Sequence, residues 1–269
     1  KVTDLLVLAG ESRPNGTAAA PDGYSIDLCS RDDLMENLKC VDGRLVAPSG
    51  ASYAVLSLGN DRNLSLATLK KVQELLKAGA TVAGLPPQGS PTLSDGRAAE
   101  AEYASVTARL WGEKPVLRSV RNVERGWLIV HNDPAEIMRL ADIAPDYRVP
   151  GGLNVLHRRV GEVEIYFLNN DSDLVCDGDL PFRVGAGKRP ESWDPLSGEI
   201  EPFAVWRIEG NRICVPLVLN PQESRFVVFT PSKEKPVLTA LRQGEALPEL
   251  EIVKAIYRAR GEKEGRDVT

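Results

Sequence analysis

The chain has 269 residues and a net charge of −5, with 33 Lys and Arg interspersed among 38 Asp and Glu. That balance excludes nucleic acid as a partner, because phosphate recognition needs a continuous positive surface. Hydrophobic residues at 42% and charged residues at 26% are globular proportions, and the longest apolar runs, LLVL at 5–8 and WLIV at 127–130, fall far below the roughly 20 residues of a membrane-spanning helix.

The first elements alternate. DLLVLAG, residues 4–10, is a short apolar run ending at a glycine, as a buried parallel strand would. A loop rich in Gly, Pro and small residues follows. Ser30 and Asp33 then form a capping box ahead of Leu34, Met35 and Leu38 at helical spacing. Asp42-Gly43 makes a turn, RLVA a short strand, and Pro48-Ser49-Gly50 a second turn into the strand SYAVLSLG. The periodicity of Leu66, Leu69, Val72, Leu75 and Leu76 predicts a helix that starts at Ser65 and stops at Gly79, with ATVAGL as the next strand. A second helix is expected over residues 97–112, strands over 115–120 and 126–132, and a third helix with Asp133 as N-cap and Pro134 at its first position. Residues 1–148 read as a doubly wound α/β domain.

After PDYRVPGGLN the helical period vanishes. Six short strands are expected: VLHRRVG, EVEIYFLNN, LPFRVG, FAVWRIEG, RICVPLVL and SRFVVFTP, with hairpin turns at Gly161-Glu162 and Gly210-Asn211. Residues 149–235 therefore read as an antiparallel β-sandwich. The remainder, 236–269, contains a strand signal that becomes highly charged, a tail or the first strand of a further β module. The chain opens on Lys1 with neither Met nor a signal peptide, which reads as a start in mid-protein.

Few residues carry a chemical signal. Cys29, Cys40, Cys176 and Cys214 show no zinc spacing with His131 or His157 and read as free thiols, with Cys29 and Cys40 the pair that could bridge. Both histidines read as structural, hydrogen-bonded residues. Gly185-Ala186-Gly187-Lys188 is no phosphate loop, since Phe182 stands where the first glycine belongs and Arg189 replaces the Ser or Thr; a hairpin turn is expected. Neither a dinucleotide-binding GxGxxG after the first strand nor a nucleophile elbow GxSxG occurs. Asp171, Asp173, Asp177 and Asp179 offer the hard oxygens calcium takes, although Val175 and Cys176 break the EF-hand pattern, and a solvated turn is the competing reading. Glu11 follows the first strand's carboxyl end, where open α/β sheets place ligand crevices. As a glycosidase acid it would need a second carboxylate, and Asp27, Asp32 and Asp33 are the candidates.

Six ordered segments carry a resemblance: YSIDLCSRDDLMENLKCVDGRLVAPSGASYAVLSL, LSLATLKKVQELLKAGATVAG, SPTLSDG, LWG, LHRRVGEVEIYFLNNDSD and PESWDPLSGEI. Across about residues 1–232 the chain resembles the region downstream of the catalytic barrel in large bacterial glycoside hydrolases related to the α-L-rhamnosidases of glycoside hydrolase family 106. The resemblance implies a flavodoxin-like or amidotransferase-like domain without catalytic residues, then a β-sandwich, with the paired catalytic glutamates upstream and none on this sequence. It also implies export to the periplasm or cell exterior. Three functions follow for testing. The first is an accessory region that supports the catalytic barrel and borders its cleft. The second is a free-standing carbohydrate-binding module, with Trp193 and Trp206 stacking on sugar rings. The third is a small hydrolase using Glu11.

Overall fold

Four apolar residues in a row make β1 (Leu5–Leu8), and all four are buried because the sheet is covered on both faces. Leu6 and Leu8 face one hydrophobic core, Leu5 and Val7 another. The computed structural model describes residues 1–11, 18–91, 96–149, 151–238, 256–257 and 266–267. Contacts divide the chain into two compact units, Lys1–Thr239 and Ala240–Thr269.

Along the first unit, β2 (Ile26–Cys29) pairs parallel with β1. The capping box forms as expected: the Ser30 backbone N–H donates to Asp33 Oδ2 at 3.2 Å and the Asp33 N–H to Ser30 Oγ at 3.1 Å. It opens a short turn that is π-helical over Asp33–Asn37. β3 (Lys39–Val41), β4 (Arg44–Val46) and β5 (Ser52–Tyr53) form a small antiparallel sheet of their own, turned at Asp42-Gly43, where both residues have positive φ. Only β6 (Val55–Ser57) returns to the main sheet, so the strand expected over 52–59 is split between two sheets.

α1 (Leu66–Lys77) is capped by Ser65, whose side chain accepts from the Thr68 N–H, and Gly79 takes the left-handed position past its end at φ 102°. β7 (Thr81–Ala83) and α2 (Gly96–Trp111) follow. Buried Trp111 at the end of α2 donates from Nε1 to the Gly84 carbonyl at 2.9 Å, which fixes the helix on the sheet. β8 (Val120–Val123) lies later than the expected 115–120, because Pro115 lacks an N–H and Arg118 has φ 61°, which interrupts an extended run. β9 (Gly126–Ile129) begins so close to α1 that a Cβ on Gly126 would lie 2.7 Å from the Leu76 carbonyl oxygen. α3 (Pro134–Leu140) has the Asp133 cap and first-turn proline expected of it. The sheet runs β2-β1-β6-β7-β9-β8, parallel except for the edge strand β8. α1 and α2 pack in the first core and α3 in the second, on opposite faces of the sheet.

The strand-rich half holds β10 (Leu153–Val160), β11 (Val163–Asn170), β12 (Cys176–Phe182), β13 (Lys188–Trp193), β14 (Ile200–Pro202), β15 (Arg207–Glu209), β16 (Arg212–Leu219) and β17 (Ser224–Pro231). They form a five-stranded sheet, β10-β11-β17-β13-β14, and a three-stranded sheet, β12-β16-β15. Tyr166, Leu168, Val227 and Phe229 from the larger sheet meet Leu180, Phe182, Ile213 and Val215 from the smaller in one core. The Gly161-Glu162 and Gly210-Asn211 turns join their hairpins as expected. Two expectations fail. β13 and β14 carry no apolar alternation and were not foreseen, and Gly185 to Lys188 is no hairpin turn but part of the crossing from one sheet to the other.

In the second unit β18 (Ile256–Tyr257) pairs antiparallel with β19 (Arg266–Asp267). The rest of the strand signal expected there lies outside the described residues.

Candidate functional site

A crevice of about 370 Å³ opens at the carboxyl ends of β1 and β6. From this pair the chain proceeds to opposite edges of the sheet, the switch point where open α/β sheets bind ligands. The backbones of Gly10 and Gly59 and the side chains of Ser57, Asn60, Asp61 and Asn132 contribute to its lining. Asn132 Nδ2 donates to Asn60 Oδ1 at 2.8 Å, bridging the loops after β9 and β6. Asp61 is occupied by backbone: its Oδ2 accepts from the Glu11 N–H at 3.1 Å and its Oδ1 from the Asn63 N–H at 2.9 Å. Among the described residues lining the crevice there is no Lys or Arg.

Glu11 stands beside this crevice, but its carboxyl is packed against neighbouring elements. The side chain is 4% exposed. Oε1 accepts from Arg31 Nε at 2.9 Å and from Thr68 Oγ1 at 3.0 Å, which ties the end of β1 to the first turn of α1. Oε2 is buried without a hydrogen-bond partner among the described residues. The Tyr103 phenol is pushed up by burial and, secondarily, by the charge of Glu11. The three carboxylates that might have faced Glu11 are engaged elsewhere or turned outward. Asp27 accepts from Lys1 Nζ at 2.6 Å and from Tyr53, Asp33 closes the capping box, and exposed Asp32 lies 3.7 Å from Arg31.

The other expected site residues do not converge. Trp206 is 6% exposed and belongs to the core shared by the two β-sheets, so it presents no face to a sugar. Trp193 is half-buried on β13, and its Nε1 donates to Glu191 Oε2 at 3.1 Å. Asp171 accepts from Asn154 Nδ2 at 2.8 Å, Asp179 pairs with Arg207, and Asp173 and Asp177 are exposed. No group of three or more His, Cys, Asp or Glu arranged to hold a metal occurs among the described residues. All four cysteines are free, and burial pushes the Cys29 thiol up to about 12, which keeps it unreactive. His131 accepts the Asp133 N–H on Nδ1 at 3.1 Å and helps start α3.

The densest polar cluster is one that sequence reasoning missed. His157 is 1% exposed; its Nδ1 lies 2.7 Å from Asp146 Oδ2 and its Nε2 2.9 Å from Glu164 Oε2. With a carboxylate at each nitrogen, the doubly protonated ring satisfies both contacts. Burial alone would lower its pKa, but the Asp146 and Glu164 hydrogen bonds outweigh burial and raise it. Burial would likewise raise Glu164, yet donors from His157, Arg159 and Lys188 bring it down to about 2. The ring stacks on Tyr166 at 3.8 Å. Arg183 pairs with Asp4, and the Val2 N–H donates to the His157 carbonyl at 2.9 Å, so this cluster joins the α/β segment to the strand-rich one. A turn at Gly161-Glu162 sets His157 opposite Tyr166 and Arg159 opposite Glu164, so the hairpin register was the available signal.

Comparison with known proteins gives a consistent affiliation. The sequence profile of the alpha-L-rhamnosidase family, glycoside hydrolase family 106, matches residues 1–207. The structure of a rhamnosidase from Novosphingobium sp. PP1Y is 33% identical with a TM-score of 0.81, over 90% of this chain and 24% of that one. A candidate beta-glucuronidase of Formosa agariphila is 33% identical over 268 residues, 95% of this chain and 22% of that protein. A beta-galactosidase from Bacillus circulans sp. alkalophilus shares the fold at 10% identity and a TM-score of 0.50, over 85% of this chain and 41% of that one. The chain spans less than a quarter of the length of the two relatives at 33% identity, and it belongs to the alpha-L-rhamnosidase family, glycoside hydrolase family 106.

Proposed function

We propose that this chain is a non-catalytic accessory region of an α-L-rhamnosidase-like enzyme, one that supports the catalytic barrel and borders its cleft. The observation that carries the reading is the state of Glu11. It is the carboxylate best placed for chemistry, yet Arg31 and Thr68 hold it in the interior, and none of its candidate partners bonds with it. A pair of carboxyls about 5–9.5 Å apart across an open cleft is what glycoside hydrolysis requires. On this reading the α/β segment is flavodoxin-like or amidotransferase-like without the catalytic machinery, and the strand-rich segment is a β-sandwich. The enzyme acts in the periplasm or outside the cell, and the partner of this region is the barrel of the same polypeptide. Assay of this chain alone on an aryl α-L-rhamnoside tests the reading. No turnover is expected; turnover by the isolated chain that Glu11→Gln abolishes would overturn it.

A further inference from the structure

The crevice at the ends of β1 and β6 holds hydrogen-bonding groups that the fold leaves unspent. The bond from Asn132 Nδ2 to Asn60 Oδ1, at 2.8 Å, uses one donor of Asn132 and one acceptor of Asn60. The Asn60 amide N–H groups and the Asn132 carbonyl oxygen have no partner among the described residues, so a donor and an acceptor stand on either side of that bond. Turning both amides over exchanges the two roles and leaves the same pair. Ser57 adds a third group. It is 1% exposed, its Oγ accepts the Gly59 N–H at 3.2 Å, and its own O–H donates to no described residue. At Gly59, with φ 68°, a Cβ would lie 2.7 Å from the Leu8 carbonyl oxygen, so bare backbone keeps that side of the crevice open. Asp61 and Asp133 accept backbone N–H groups and place two carboxylates in the lining.

We propose that this crevice binds one neutral sugar residue through a pair of adjacent hydroxyls. The inference rests on the accessory reading above and deepens it by giving the α/β segment a ligand class. A hydroxyl both donates and accepts, so one of two neighbouring hydroxyls takes the Asn60 N–H and the other donates to the Asn132 oxygen, while the Ser57 O–H serves a further ring oxygen. The carboxylates of Asp61 and Asp133 disfavour an acidic sugar or a phosphate by like-charge repulsion. Ala9, Ala18, Ala19 and Pro134 supply small apolar surface for the C–H face of the ring. The volume of about 370 Å³ lies at the lower end of the roughly 300–1,000 Å³ usual for small-molecule sites, which fits a single residue. A few convergent polar groups in a preformed crevice at the switch point of an open α/β sheet are the pattern of a ligand site.

The test is a titration of the isotope-labelled chain with L-rhamnose, D-galactose and D-glucose in turn, read from the side-chain amide signals of Asn60 and Asn132. At least one of the three sugars shifts both signals and saturates them at millimolar concentration. Asn132→Ala, checked by its melting curve to be folded, weakens that binding about tenfold, and D-galacturonate binds more weakly than the best neutral sugar. Saturation by none of the three sugars would overturn the proposal. So would sugar binding that Asn132→Ala leaves unchanged, or tighter binding of D-galacturonate or of adenosine. Rhamnoside turnover by the longer polypeptide, with none by this chain, would in each of those cases leave the accessory reading standing while the crevice loses its sugar.

Discussion

Glu11 and Glu164 are both buried glutamates, one in each half of the first unit, and they are satisfied differently. Glu164 receives His157 on Oε2 and Arg159 and Lys188 on Oε1. Glu11 receives Arg31 and Thr68 on one oxygen and leaves the other without a partner among the described residues. A fully paired carboxylate acts as a structural bolt. A half-paired one resembles an active-site acid by burial alone, and only its surroundings separate the two roles. Near Glu11 those surroundings are helix starts and a strand end, with no second carboxylate bonded to it.

The largest effect is expected from Glu164→Gln, which leaves an imidazolium and two further cations around a neutral amide. Removing one partner of a buried charge cluster costs about 3–5 kcal/mol, a large part of a domain's usual ~5–15 kcal/mol. Denaturant unfolding should show it, and a loss comparable to that of a surface substitution would break the contrast with Glu11.

The same cluster sets a pH window. Glu164 is held at about 2 against an ordinary 4.5, so its contribution is present above 4.5 and fades as pH falls toward 2. His157 is raised from an ordinary 6.5, so its contribution is complete below 6.5 and is lost as pH climbs through the raised value. Unfolding midpoints measured from acid to alkaline pH should form a plateau between about 4.5 and 6.5 and decline on either side of it. His157→Gln should remove the alkaline decline; a decline that survives this substitution would show that another group controls it.

Glu11→Gln should cost less, about 1.5 kcal/mol, since one oxygen still accepts from Arg31 and Thr68 while the charge is lost. Asn132→Ala, which cuts the bridge to Asn60 across the crevice, should cost about 1 kcal/mol or less in a thermal melt. Equal losses at Glu11 and Glu164 would mean that the unpaired oxygen carries more than its hydrogen bonds indicate.

Much of the α/β segment could be read from local signals. Ser65, Gly79, Asp133 and the Ser30–Asp33 box each act within one turn of chain, so their hydrogen bonds are written in adjacent residues. β13 was hidden because its residues, KRPESW, show no apolar alternation, and pairing with β17 makes it a strand. Trp206 misled because a tryptophan's letter does not say which side of a sheet it takes; the core between the two sheets claims it. In the His157 cluster, Glu164 comes from the facing strand of the same hairpin and could be read from its register, whereas Asp146 comes from the connecting segment, a placement with no local pattern. The crevice likewise joins loops separated by 72 positions at Asn60 and Asn132.

The most direct test of the proposed accessory role is the turnover number, on an aryl α-L-rhamnoside, of a longer polypeptide carrying this region with Glu11→Gln, beside its parent. The reading predicts a value within about twofold of the parent, because Glu11 fastens β1 to α1 and touches no substrate. A fall of about a hundredfold or more, the size expected on losing a general acid or base, would contradict it and return Glu11 to the active site.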